Sequence, residues 1–236
     1  MRNRNPEIGG VVPFSSIDWP GLLTAVVFIK GCPWRCHYCH NPHLQSRANS
    51  RVIEIASQQE QFSLAWSQIL EFLFTRKNLL DGIVFSGGEP FSEPALPAMI
   101  QDVADLGFQV AVHTAGMYPK KLENVLNTLT WVGLDIKTNS AGYDALTGRV
   151  KSAEPVDQSL DVLLNGKISF ECRTTWSPDW LEESDLIDLA QGLSLKGVRK
   201  YAVQRHRSIP NRAAAFELSA HGIQIMRGLF EQFSYR

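Results

Sequence analysis

Three cysteines within eight residues, Cys32, Cys36 and Cys39, constrain this chain more than any other feature of its sequence. They follow a short apolar run and are spaced C-x3-C-x2-C. Spacing so close suits a metal better than a disulfide framework. Such a loop can hold three irons of a 4Fe–4S cube and leave the fourth without a protein thiolate. The spacing also leaves open a structural zinc, with His37, His40 or His43 as fourth ligand. The remaining cysteine, Cys172, falls inside a strand pattern and reads as a buried, unreactive thiol.

Around this loop, apolar β-branched runs alternate with helical patterns. The runs at 24–30, 82–86, 109–113, 131–136, 168–175 and 199–204 are short and apolar, as strands of a parallel sheet buried on both faces would be. Helices are expected at 59–76, 94–106, 119–129, 182–193 and 213–233, with a shorter one at 155–164. Residues 8–14 offer a further strand, weakened by the Gly9-Gly10 pair, and the polar stretch 43–57 reads as a loop. Strands alternating with helices predict an α/β fold with a mostly parallel sheet. A length of 236 residues suits a single domain over 1–236, with a core at about 18–204 and a helical tail at about 213–236.

Charge narrows the function classes. The 23 Lys and Arg nearly balance the 24 Asp and Glu, which argues against a dominant nucleic-acid or polybasic membrane surface. The apolar stretch 22–29 is far too short to span a bilayer, and the polar start is followed by no apolar signal region. The expectation is a cytoplasmic protein with neither nucleic acid nor membrane as partner.

Polar residues gather at the carboxyl ends of the expected strands, where α/β sheets and barrels place their sites. The cysteine loop follows the first, Ser86-Gly87-Gly88-Glu89-Pro90 the second and His113-Thr114-Ala115-Gly116 the third. Asp135 and Lys137 end the fourth, Arg173 lies late in the fifth, and Gln204 ends the sixth. Asp135 and Lys137 are two apart on a strand and share a face, which by itself fits a structural ion pair equally well.

The cysteine spacing, Tyr38 just before the third cysteine, and Gly87-Gly88-Glu89-Pro90 one strand later closely resemble the radical S-adenosylmethionine (SAM) superfamily, over roughly Asp18 to Gln204. The resemblance implies a partial (β/α)6 barrel with one 4Fe–4S cluster on Cys32, Cys36 and Cys39 at its open end. It also implies SAM on the fourth iron, cleaved reductively to a 5′-deoxyadenosyl radical, with no catalytic side chain needed beyond the cluster. It places Tyr38 near adenine, Lys137 and Arg173 at the carboxylate, Asp135 and Gln204 at ribose hydroxyls, and Thr114 among the ligand contacts. Gly87 and Gly88 would permit close backbone approach to the ligand, and Glu89 would orient that loop or accept from the methionine ammonium.

Within the superfamily, Val26-Val27-Phe28, Cys39-His40-Asn41-Pro42, Asp135-Ile136-Lys137 and Leu146-Thr147-Gly148 look like the glycyl-radical-enzyme activating proteins. Asp18-Trp19-Pro20-Gly21 is similar to the longer activating proteins of anaerobic ribonucleoside-triphosphate reductase. The implied partners are that glycyl radical enzyme and a low-potential electron donor such as flavodoxin or ferredoxin. His113-Thr114-Ala115-Gly116 stands where relatives often carry Asp-Thr-Asn-Gly, which argues against a monovalent-cation site built on that Asp. The alternative is a small-molecule radical SAM enzyme resembling 7-carboxy-7-deazaguanine synthase, although that family usually has a Gly-Glu-Gly-like stretch before the first strand. Anaerobic reconstitution with iron and sulfide is expected to give a brown protein with about four irons per chain. Stoichiometric zinc in their place would remove the cluster.

Overall fold

The computed structural model describes residues 5–47, 65–206 and 217–236. Eight strands form one sheet whose spatial order follows the chain. They are β1 (Ile8–Ser15), β2 (Thr24–Ile29), β3 (Gly82–Gly87), β4 (Gln109–Thr114), β5 (Trp131–Asp135), β6 (Ser169–Trp176), β7 (Lys200–Arg205) and β8 (Gln232–Tyr235). Neighbours from β2 to β8 pair in parallel, and β1 lies antiparallel on β2. Parallel neighbours require crossovers. Helices α1 (Trp66–Thr75), α2 (Leu96–Asp105), α3 (Pro119–Val125), α4 (Tyr143–Thr147), α5 (Ala153–Asn165), α6 (Glu183–Leu195) and α7 (Ala220–Leu229) lie in the connections. Crossovers of one hand, in chain order, put the helices on one face and curl the sheet into a partial barrel.

The period-two alternation of the strands divides the apolar residues into two sets. Ala25, Val27, Ile83, Phe85, Val110, Val112, Val132 and Leu134 pack outward with helix residues such as Ile69, Leu73, Met99 and Leu160. Their inward neighbours Val26, Val84, Ala111 and Trp131 join Trp19 in a separate, smaller cluster. Trp19 stacks on Trp131 with ring centroids 5.9 Å apart and planes 23° apart. The Asp18-Trp19-Pro20-Gly21 turn therefore plugs the amino end of the barrel. The carboxyl end is left to polar side chains.

The six expected parallel strands are β2 to β7, within a residue or two at their ends. β1 forms despite Gly9-Gly10 by pairing along β2, and at Gly9 the missing Cβ makes room for the Leu44 side chain packed over it. α1 falls inside the helix expected at 59–76, whose residues 59–64 lie outside the described residues. The tail differs from the helical expectation. α7 ends at Leu229, Phe230 turns extended, and Gln232–Tyr235 become β8. The alternation of Phe233 and Tyr235 with polar neighbours suits a strand, and pairing with β7 satisfies an edge that would otherwise stay open. Among the described residues, no helix is long and apolar enough to cross a membrane.

Gly87, the last residue of β3, has φ +119°, and a Cβ there would strike the Ile29 carbonyl at the end of β2. Gly87→Ala combines strain with a backbone clash that no rotamer relieves. It is expected to cost about 2–4 kcal/mol in chemical denaturation. A variant as stable as the wild type would show that the two strand ends can part.

Candidate active site

The cysteine loop leaves β2 at Lys30 and is stitched to its neighbours mainly by backbone. Gly31 N–H donates to the Leu44 carbonyl at 2.7 Å, and Cys32 N–H donates to the Gln45 carbonyl at 3.1 Å. The Gly31 carbonyl accepts from Glu89 N–H at 2.8 Å and from Ser92 Oγ at 3.0 Å. On the outer side, the Arg35 guanidinium donates to the Cys32 and Trp34 carbonyls, and Arg149 Nε donates to the Pro33 carbonyl at 3.1 Å. Cys39 N–H closes a turn onto the Cys36 carbonyl at 3.2 Å. With its backbone held this way, the loop turns all three thiols into one cavity at the carboxyl end of the sheet.

Tyr38, Gly87, Gly88, Thr114, Asp135, Lys137 and Arg173 line the same cavity as the thiols. Arg173 donates from Nε and Nη2 to one oxygen of Asp135, at 3.0 and 2.7 Å. Lys137 Nζ stands 3.9 Å from the other Asp135 oxygen and 5.6 Å from the centre of the Tyr38 ring. Burial alone would raise the Asp135 pKa, but Arg173 and Lys137 outweigh it and hold the carboxyl below its ordinary value. Burial likewise opposes the Lys137 charge, and Tyr38, Asp135 and Cys36 outweigh it and hold the amine above its usual range. Two cations facing one carboxylate leave the cavity one positive charge in excess, which suits an anionic group on a ligand.

The sequence profile described as the Radical SAM superfamily matches residues 26–175, more than half of the chain. The chain belongs to the radical SAM superfamily. A protein of Methanocaldococcus jannaschii named as a glycyl-radical enzyme activating enzyme is 28% identical over 207 residues, which cover 84% of this chain and 79% of that one. The pyruvate formate-lyase-activating enzyme of Clostridium pasteurianum is 33% identical over 151 residues, 61% of this chain and 58% of that enzyme. In fold, QueE from Escherichia coli superimposes with a TM-score of 0.58 at 15% identity, covering 98% of this chain and 94% of that structure.

Membership implies a 4Fe–4S cluster and SAM, and the residues present fit both. Cys32, Cys36 and Cys39 are free, half-buried thiols. Among the described residues, no group of three or more His, Cys, Asp and Glu side chains is arranged to hold a metal ion. A cube spreads its irons over separate corners, so its three thiolates need to share a cavity and not a point. Burial pushes the Cys32 thiol up to about 11 and raises Cys36 as well, so loading the metal must release protons. The Tyr38 hydroxyl and the Trp180 indole N–H are buried without a hydrogen-bond partner among the described residues, side by side in rings stacked at 4.6 Å and 9°.

The glycine pair and Glu89 of this radical SAM chain have a structural task besides any ligand contact. A Cβ on Gly88 would lie 2.5 Å from the Gly31 carbonyl, so both glycines make room for the cysteine loop and the end of β2. Glu89 is fully buried outside the cavity lining. Its Oε1 accepts from Phe91 N–H at 3.1 Å and Thr114 Oγ1 at 2.8 Å, and its Oε2 accepts from Ala115 N–H at 2.9 Å. Gln204 pairs with Thr175 across β6 and β7 but is not among the lining residues. His37 packs edge-on against Tyr38, and His40 stacks on His206 at 4.8 Å. Cys172 is fully buried, as expected. His113 lines the cavity from the end of β4, where the sequence had placed it, whereas Trp34 and Thr175 line it and Trp180 stacks on Tyr38 without having been expected there. Thr175 was accessible to it, two residues beyond Arg173 on the same face. The loop residue Trp180 carried no such signal.

Burial raises the Glu89 pKa to about 7 from 4.5, against the pull of its three donors. A carboxyl with a raised folded-state pKa contributes most below its unfolded value and loses that contribution as pH rises through the folded one. Glu89→Gln places an NH2 where a backbone N–H needs an acceptor, at a cost of about 1–3 kcal/mol. The wild type's advantage over this variant is expected to shrink between pH 4.5 and about 7 in thermal unfolding. A constant difference over that range would show that Glu89 keeps one protonation state.

Proposed function

We propose that this chain is an activase that cleaves SAM reductively and removes hydrogen from a backbone glycine Cα of a partner enzyme. The partner is an anaerobic ribonucleoside-triphosphate reductase. The observation that carries this reading is the convergence of three half-buried thiols with Lys137 and the Asp135–Arg173 pair on one cavity. The relatives named as activating enzymes support the glycyl substrate, and Asp18-Trp19-Pro20-Gly21 supports the choice of reductase.

When bound, the cluster supplies the electron that breaks the sulfonium C–S bond of SAM, and thereby the carbon radical that takes the hydrogen. Cys32, Cys36 and Cys39 would hold the cluster through their three thiolates. Lys137 and Arg173 meet the methionine carboxylate as charged donors. Asp135, turned by Arg173, keeps one oxygen for a ribose hydroxyl. Tyr38, backed by Trp180, and Trp34 supply apolar walls that keep water from a reactive centre. A low-potential carrier, flavodoxin or ferredoxin, supplies the electron.

Mixing the reduced, cluster-loaded protein with SAM and an anaerobic ribonucleotide reductase is expected to give a glycyl doublet by electron paramagnetic resonance. Turnover of SAM with no such doublet would reject the reductase as partner and favour a small-molecule substrate. A reduced cluster that leaves SAM intact would reject the reading as a whole.

A further inference from the structure

Gly133 is the one inward position in the middle of β5 that carries no side chain, and two neighbours occupy its space. It is the register partner of His113 on β4, and one pair further along the sheet Asp135 faces Arg173 on β6. A Cβ at Gly133 would lie 2.9 Å from Arg173 Cζ, 3.0 Å from Arg173 Nη1 and 3.0 Å from His113 Cδ2. Its φ lies outside the left-handed region, so the backbone does not call for glycine here. Room is what the position supplies.

His113 is fixed on its other sides. Its Nε2 is 2.7 Å from the Asp18 carbonyl, which can only accept, so this nitrogen carries the proton. The ring meets Trp131 edge-on, with centroids 5.7 Å apart. Burial, reinforced by Arg173, pushes its pKa down to about 3, so the ring is neutral and does not repel the guanidinium. Arg173 needs such a wall. Both of its bonds to Asp135 end on the same oxygen, and bonds to a single oxygen leave the guanidinium plane free to pivot, unlike a fork-to-fork pair.

We propose that His113 and Gly133 form a positioning pair that seats the Arg173 guanidinium on Asp135 and so aims the cation that meets the carboxylate of SAM. The hollow over Gly133 admits guanidinium and imidazole together, and the imidazole, pinned to the turn that plugs the barrel, stops the guanidinium from swinging away. The inference rests on the reading of the cavity as a SAM site.

The test is anaerobic titration calorimetry of the cluster-loaded protein with SAM and, in parallel, with 5′-methylthioadenosine, which lacks the amino-acid carboxylate. Gly133→Ala and His113→Ala are each expected to weaken SAM binding by about tenfold, with iron content unchanged and a clearly smaller loss for 5′-methylthioadenosine, which keeps the ribose that meets Asp135. Both changes act through the seat of the Arg173 guanidinium, so in the double variant the loss should be no greater than the worse single loss. Should Gly133→Ala fail to accumulate, His113→Gln keeps an N–H for the Asp18 carbonyl and lacks the ring. It is expected to weaken SAM binding with an unaltered melting temperature. Wild-type affinity in these variants, losses that multiply in the double variant, or equal losses for both ligands would overturn the pair. If the wild type itself bound no SAM, the activase reading would fall first and this inference with it.

Discussion

The site depends on how closely two stretches of backbone can approach. The cysteine loop leaves β2 beside the end of β3, and Gly31 lies where a side chain on Gly88 would be. Only with the Cβ atoms of Gly87 and Gly88 absent can the Gly31 carbonyl accept from Glu89 N–H and the Gly88 N–H reach the Ile29 carbonyl at 2.9 Å. Those bonds set the position of the loop, and the loop sets the position of three thiols. Glu89 extends the same constraint to the end of β4 by accepting from Thr114 and Ala115. A cluster site built on a loop thus gains the rigidity of the strands it is tied to.

The charges of the site obey a second constraint. A buried ion is costly unless it is paired. Arg173 and Asp135 pair across β5 and β6, Lys137 approaches the same carboxylate, and His113 stays neutral between them and the barrel plug. The cavity is left with a cationic excess beside thiols whose ionisation burial resists. A metal that takes thiolates relieves the second cost, and a ligand carboxylate takes up the first. The same arrangement that is expensive without a ligand is complementary to a cluster and an amino acid.

Much of this architecture was legible beforehand. The six apolar runs became β2 to β7 because buried parallel strands have few polar positions to obscure them. The clustering of Thr114, Asp135, Lys137 and Arg173 followed from placing each at a strand's carboxyl end, and that of Tyr38 from its place in the cysteine loop. β8 was hidden because the alternation over Gln232–Tyr235 is only four residues long and follows directly on a helical pattern, and pairing with the open edge of β7 makes it a strand. Trp180 was hidden because a loop has no periodicity, so its stack on Tyr38 depends on where α6 begins. The glycine pair drew notice for ligand approach, and the backbone crowding it relieves appears only once β2 and β3 lie side by side.

By itself, the sequence determined the order of strands and helices from β2 to β7, the three closely spaced thiols and the end of the sheet that bears polar chemistry. These follow from local spacing and from alternation along single strands, which neighbours in space do not alter. Tertiary structure alone decided that Glu89 braces loops from behind the cavity, that Arg173 and His113 both reach over Gly133, and that Trp19 plugs the barrel from the far end. Each of these depends on side chains from different strands meeting inside the curl of one sheet, and that distance is set by strand register and closure, which no linear spacing encodes.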